Sequence, residues 1–291
     1  MLPAVVKLCC GISYPHLRSM AGLQRAALAA LGQELSHLQN AGHITHPAWS
    51  GSLRWSWGKD FKKTEEVGTK DVALGDEDMC YLRQGEEALK KAQDIVESKD
   101  GWKIELAEKN GEVIYSKVLQ GNRKVFRLEA ELDATPEELY DILFIRVEEM
   151  HQWNPSIRQI KVLKHVGKST MVTHEVSGET AGNLIGQRDF LSVRHSSKSK
   201  TRIYLGGAAT RCESLPPQPG FVRAEDGPTC IILQPLHGHP GKSHFIWLLN
   251  MDVKGWLPTS LVNKALPRAQ VDFTKHLRRR LAAQNPEDSR T

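Results

Sequence analysis

The sequence has few cysteines, no long apolar run, and no acid in its first 33 residues. Each gap excludes something. The five cysteines (Cys9, Cys10, Cys80, Cys212 and Cys230) are widely scattered apart from one adjacent pair and never fall at Cys-x-x-Cys spacing. Neither a disulfide framework nor a thiolate zinc site is expected from them, and a reducing compartment fits best. The densest apolar stretches, Phe245–Leu249 and Ile142–Ile145, fall far short of the roughly 18 residues a membrane-crossing helix needs. What is present is ordinary: 291 residues, 40% hydrophobic and 25% charged. That excludes a collagen-like or wholly disordered chain, and the length suits two average domains or one large domain with a tail.

Charge is distributed unevenly. Residues 1–63 carry seven Lys/Arg (Lys7, Arg18, Arg25, Arg54, Lys59, Lys62, Lys63) against Glu34 and Asp60, whereas residues 64–291 carry 32 of each sign. The whole net charge of +5 therefore lies in the first fifth of the chain. A nucleic-acid-binding body would need its basic excess in the folded part, so no nucleic acid partner is expected.

The acid-free start is also periodic. Met20, Leu23, Ala27, Leu28, Leu31, Leu35 and Leu38 form one stripe at helical spacing, with Arg18 and Arg25 off it. Arginine and serine opposite leucine and alanine, without acids, is the pattern of a mitochondrial presequence. The apolar face would dock on the import machinery, and the membrane potential would draw the positive charge inward by about 2.3 kcal/mol per charge per 100 mV. A membrane-surface tail is the plainer alternative; a secretory signal fits worse, because no compact apolar core precedes a small-residue cut site. The expected organisation is a presequence and linker over residues 1–63, cut near residue 63, a linker over 64–74, a folded domain over 75–285 and a disordered tail over 286–291.

In the body, Asp76–Ser98 reads as a helix with Met79, Leu82, Ala88, Leu89, Ala92, Ile95 and Val96 on one face. Strands are predicted at Gly101–Gly111, Glu112–Gln120 and Arg123–Leu132, joined at Asn110-Gly111 and Gly121-Asn122. Thr135-Pro136-Glu137-Glu138 opens a second helix running to about Met150, which Trp153-Asn154-Pro155 breaks. Further strands follow at Ile157–Val166, Thr170–Val176, Arg188–His195, Thr201–Thr210, Gly220–Ala224, Thr229–Gln234 and Ser243–Val253. Pro258–Ala283 closes the chain as a long helix carrying Val262, Leu266, Ala269, Phe273, Leu277 and Leu281 on one face, with Pro267 inside it as a kink. Helices grouped against a mostly antiparallel sheet make this an α+β fold. So many strands tend to curl, and a long apolar-faced helix is available to close one opening over either a cavity or a solid core.

Motifs for catalysis are weak. Gly238-His239-Pro240-Gly241-Lys242-Ser243 resembles the end of a phosphate loop, but Leu236 stands where the first glycine belongs and a strand follows instead of a helix. His237, His239 and His244 share a Gly/Pro turn without a further ligand, so a solvated turn is the expectation. His174-Glu175 lacks a zincin's second histidine, and no Gly-x-Ser-x-Gly elbow exists. No cofactor, metal or catalytic residue is expected. Glu175 and Arg194 fall inside predicted strands, where an inward charge would cost several kcal/mol unless paired. Thr173 and Ser192 share their faces, so alternation does not decide which way the two charges point, and the residues alone favour an exposed face.

Other segments carry a resemblance. Tyr81–Ala88, Glu129–Tyr140, Gln152-Trp153-Asn154-Pro155, Thr173-His174-Glu175, Ala181–Leu184, Arg188-Asp189-Phe190, Gly227–Cys230 and Lys254–Pro258 resemble the START lipid-transfer family from about residue 75 to 283. The resemblance implies a helix-grip fold: a curved antiparallel β-sheet around an apolar tunnel, closed by the long C-terminal helix and sized for one cholesterol. It turns Glu175 and Arg194 inward as the polar end that meets the sterol hydroxyl, directly or through water. Leu266, Phe273 and Asn154 would line the tunnel and lid, and the Gly178–Gln187 loop would flank the mouth. The family's basic-directed phosphorylation sites are weak here, at Arg54-Trp55-Ser56 and Lys198-Ser199-Lys200-Thr201.

The function implied is a non-enzymatic cholesterol carrier, a monomer, that works at the mitochondrial outer membrane during import and delivers sterol inward for steroid hormone synthesis. The alternatives are a START carrier of a phospholipid, a lipid hydrolase or thioesterase, and a mitochondrial scaffold. A phospholipid head group would want an aromatic cage, which the strands do not offer; a hydrolase would want a positioned nucleophile and base.

Overall fold

The computed structural model describes residues 75–178 and 187–284. The presequence, both linkers, all but the ends of the Gly178–Gln187 loop, and the tail lie outside the described residues.

Helix α1 (Asp76–Glu97) opens with Asp76, Glu77 and Asp78 at its positive end. Strands β1 (Lys103–Ala107), β2 (Val113–Val118) and β3 (Lys124–Leu132) follow as an antiparallel meander. They are shorter than the sequence predicts, because Gly111 at φ 86° and Gly121 at φ 77° turn the chain, the latter in a 3-10 turn over Gln120–Asn122. Next come β4 (Ile157–Val166), β5 (Thr170–Ser177), β6 (Arg188–Lys198), β7 (Ile203–Ala209), β8 (Val222–Asp226), β9 (Thr229–Pro235), β10 (Ser243–Leu249) and β11 (Met251–Asp252). The main hydrogen-bonded order is β1-β2-β3-β10-β9-β7-β6-β5-β4, antiparallel throughout. Strand β6 pairs β5 along one edge and divides the other between two neighbours: Arg188–Phe190 pair in parallel with β8, and Ser192–Lys198 pair antiparallel with β7.

The helix expected over 135–150 is a composite. Thr135 caps it in a full capping box, its Oγ1 accepting from the Glu138 N–H at 3.2 Å. Two short α-helices, α2 (Pro136–Tyr140) and α3 (Met150–Trp153), are joined by a π turn over Asp141–Ile145 and a 3-10 turn over Val147–Glu149. The break falls at Arg146 (φ −94°, ψ 38°), whose N–H donates to the Asp141 carbonyl five residues back. The wider turn buries Ile142, Leu143, Phe144 and Val147 together, more than one regular helical face would cover. The strand expected over Ser243–Val253 also divides. At buried Asn250 the chain leaves the main sheet, and β11 pairs β8 instead.

The two faces of the sheet are covered differently. On one, α1 lays Leu89, Ala92 and Val96 over Val125, Cys230, Ile232 and Leu248. This approach is close enough that a Cβ on Gly206 of β7 would lie 2.7 Å from Leu89. On the other face, α4 (Thr259–Gln284) sets Ala265, Leu266, Ala269, Phe273, Leu277 and Leu281 against Phe126, Leu128, Ile231, Leu233, Phe245 and Trp247. Two ion pairs tie α4 to the β1–β2 turn, Arg268–Glu108 at 2.8 Å and Arg278–Glu112 at 3.2 Å.

Candidate ligand-binding site

Alternation fixes which side chains point toward α4. On β6, Phe190 belongs to the core under α4 while Leu191 and Val193 pack with Tyr81 of α1, so Ser192 and Arg194 face α4. On β5, Met171 belongs to the α4 core and Val172 to the α1 side, which turns Thr173 and Glu175 inward. Glu175 and Arg194 are both buried, and Arg194 Nη2 donates to Glu175 Oε2 at 3.4 Å. Both side chains are thus buried on the face toward α4, not exposed as the residues alone favoured.

The register explains how the pair meets. Arg194 lies opposite Met171, and Glu175 opposite Phe190, so the two are separated diagonally across the directly paired Thr173 and Ser192. Those two small residues leave room for the long side chains to cross above them, and Thr173 Oγ1 accepts from Arg194 Nε at 3.2 Å. Small polar residues here look like a solvent face in the sequence, yet they are spacers under a buried ion pair.

Sequence reasoning missed a third charged residue. On β8, Ala224 is opposite Phe190 and belongs to the α4 core, so Asp226, two residues on, shares its inward face beside Ser192. Ser192 Oγ donates to Asp226 Oδ2 at 3.1 Å, and Asp226 is buried. The predicted strand stopped at Ala224; carrying the alternation one step further would have found it. Two carboxylates thus share one guanidinium inside an apolar layer. Burial pushes the Glu175 carboxyl up to about 7, against the opposing pull of Arg194, and that of Asp226 up to about 6.

The remaining predicted residues lie apart from this cluster. Leu266 and Phe273 are buried on the inward face of α4, and Phe273 packs its ring 4.9 Å from Trp247 and 5.6 Å from Trp153. Asn154, directly after α3, is buried, and its Oδ1 accepts from the Ser156 N–H at 3.1 Å. It stands near the end of β5, where Ile157 pairs with Ser177. Gln270 was not anticipated: it interrupts the apolar stripe of α4 and donates from Nε2 to the Trp247 carbonyl at 3.0 Å. His237 and His239 belong to the turn between β9 and β10, and His244 begins β10; among the described residues no group of His, Cys, Asp and Glu is placed to hold a metal.

This curved sheet, gripped by a terminal helix over a buried charged cluster, has counterparts. The family model of the START domain matches residues 82–287. The chain belongs to the START-domain family. Among full-length relatives, the mitochondrial steroidogenic acute regulatory protein of Danio rerio is 43% identical over 97% of this chain and 96% of its own length. That of Equus caballus is 44% identical over the whole of both chains, and that of Homo sapiens 43%. Of solved START structures, human StAR-related lipid transfer protein 5 superposes with a TM-score of 0.63 at 21% identity, covering 69% of this chain and 96% of its own. That likeness shows the same fold, and with it the expected α+β helix-grip architecture of sheet and terminal helix.

Proposed function

We propose that this START protein is a carrier that binds one cholesterol between the sheet and α4 and delivers it to the inner mitochondrial membrane for steroid hormone synthesis. Family membership supports a lipid as cargo, and the relatives' names support a steroidogenic, mitochondrial setting. The observation that carries the reading is the buried Glu175–Arg194 pair, with Asp226 beside it, at one place in a largely apolar layer under α4. A sterol is a large apolar body with one hydroxyl. Burying several hundred Å² of it at roughly 25 cal/mol/Å² offers on the order of 10 kcal/mol before the costs of binding. A polar contact adds about 1–3 kcal/mol and fixes the orientation. Shape then gives affinity, and the charged end gives direction.

In this reading the protein moves cholesterol unchanged, as a monomer, with Leu266, Phe273 and Asn154 lining the chamber and lid. Residues 1–63 address it to the import machinery, and transfer takes place at the outer membrane. Native mass spectrometry with lipid extraction tests the cargo, using the full chain incubated with mixed lipids beside Glu175→Ala and Arg194→Ala. One sterol per chain, weakened in both variants, is expected. A phospholipid adduct would make it a carrier of another lipid; the absence of any adduct would remove the carrier reading.

A further inference from the structure

We propose that the layer under α4 holds a second polar station, made by the indole N–H of Trp247 and the amide oxygen of Gln270, and that it takes the hydroxyl of a sterol hydroxylated on its side chain in preference to cholesterol. The inference rests on the carrier reading and deepens it, since it concerns the end of the cargo away from Glu175 and Arg194. Both side chains are fully buried, and Trp247 Nε1 and Gln270 Oε1 have no hydrogen-bond partner among the described residues. They belong to one contact between α4 and β10. Gln270 donates from Nε2 to the Trp247 carbonyl at 3.0 Å, and Phe273, one turn further along α4, packs its ring 4.9 Å from that of Trp247. The neighbouring Thr274 hydroxyl donates to the Gln270 and Val271 carbonyls of its own helix, so its proton is not offered to Gln270 Oε1.

Strand register sets this contact apart from the charged cluster by a ligand's length. Ser196, Leu205, Ile231 and Trp247 stand opposite one another across β6, β7, β9 and β10, and the last three belong to the core under α4. Arg194 lies in the next row on the same face, two residues before Ser196. Three strand spacings of ~4.8 Å and two residues of ~3.3 Å put Trp247 roughly 16 Å from Arg194 along the sheet. That is of the order of a sterol's reach from ring hydroxyl to side chain. A rigid sterol held by its ring hydroxyl at Arg194 and Glu175 thus brings its tail to Trp247 and Gln270. A buried donor and a buried acceptor without partners each cost free energy. One hydroxyl answers both, accepting from Trp247 Nε1 and donating to Gln270 Oε1. The hydrocarbon tail of cholesterol answers neither, and a site built around a hydroxyl disfavours the analogue that lacks it.

The test is equilibrium binding of the full chain to cholesterol, 25-hydroxycholesterol and 7α-hydroxycholesterol, each delivered from cyclodextrin and followed by displacement of a fluorescent sterol. The side-chain diol is expected to bind about tenfold more tightly than cholesterol. The ring diol, whose second hydroxyl does not reach β10, should bind no more tightly than cholesterol. Trp247→Phe removes the donor and Gln270→Met the acceptor, and each should bring the ratio of 25-hydroxycholesterol to cholesterol affinity near one. A role in packing alone would weaken both sterols together and leave that ratio unchanged, which overturns the assignment. A parent chain that favours the ring diol equally, or favours no sterol over another, overturns it too while leaving the carrier reading intact. Binding of none of the three removes that reading itself. Should circular dichroism show one variant unfolded, the other decides, and the parent's two ratios decide if neither folds.

Discussion

Strands β5, β6 and β8 carry a charged cluster on each of their two faces, and the two are built to opposite rules. Under α4, Glu175 and Asp226 share Arg194. On the other face, a single acid, Asp189 of β6, is held by two partners: Arg223 of β8 at 2.8 Å and His174 of β5 at 2.9 Å. Arg223 also donates to the carbonyls of Leu215 and Pro216. Burial acts on Asp189 as well, but its partners outweigh it and hold the carboxyl below its ordinary range. Buried carboxylates on these strands thus go in opposite directions: the partners of Asp189 outweigh its burial, whereas burial outweighs the cations that act on Glu175 and Asp226. A cluster whose partners hold its acid ionised is a fastener.

Removing the acid from each face sharpens the contrast most. Asp189→Ala strands a guanidinium and an imidazole, and is expected to cost about 3–5 kcal/mol in chemical denaturation; a loss under about 1 kcal/mol would erase the distinction between the faces. The pH response comes next. Glu175 and Asp226 bind protons more readily folded than unfolded, so their contribution is fully present below the unfolded values near 4 and is lost as pH rises through about 6 to 7. Asp189 behaves in reverse, contributing above 3.8 and losing it as pH falls through its lowered folded value. Denaturation midpoints should therefore fall between pH 5 and 7.5 in the parent chain, and fall less in the double variant Glu175→Gln, Asp226→Asn. At pH 8, Asp226→Asn alone should raise stability by about 1 kcal/mol, because it removes a carboxylate whose burial outweighs its partners; a clear loss would mean that the inner cluster is a fastener too. The smallest effect is expected of Thr173→Val, about 1 kcal/mol for one hydrogen bond to Arg194, with the His174 and Arg223 contacts untouched.

Most of the framework was legible in the sequence because turns and alternation are local. β4 begins and ends where predicted, and α1 and α4 differ from expectation only at their ends. The departures occur where tertiary packing overrides a local pattern. Ile142–Ile145 reads as a helix segment, yet burying three of those four residues takes a π turn and leaves Ile145 exposed. Alternation left the inward face of β5 and β6 undecided because Thr173 and Ser192 are as small and polar as a solvent face would be; their place between Glu175 and Arg194 is visible only once the strands are paired. Asp226 was hidden at the end of a short strand, beside a residue thirty-four positions away. Gln270, which interrupts the apolar stripe of α4, holds the helix to the Trp247 carbonyl of a strand remote in sequence.

Pro267 has a mechanical consequence. It cannot donate to the Asn263 carbonyl, so one rung of the α4 ladder is missing between its first turns and the remainder. No residue from Thr259 to Lys264 is fully buried, whereas the buried stripe begins at Ala265. Both clasps to the β1–β2 turn, at Arg268 and Arg278, come after the proline. The helix is thus riveted along its rear and only laid down at its front. It would open like a peeled flap from Thr259 backward, not swing as a rigid bar, and amide exchange should be faster before Pro267 than after it. Cargo would then leave past the leading turn while the rest of the closure stays seated.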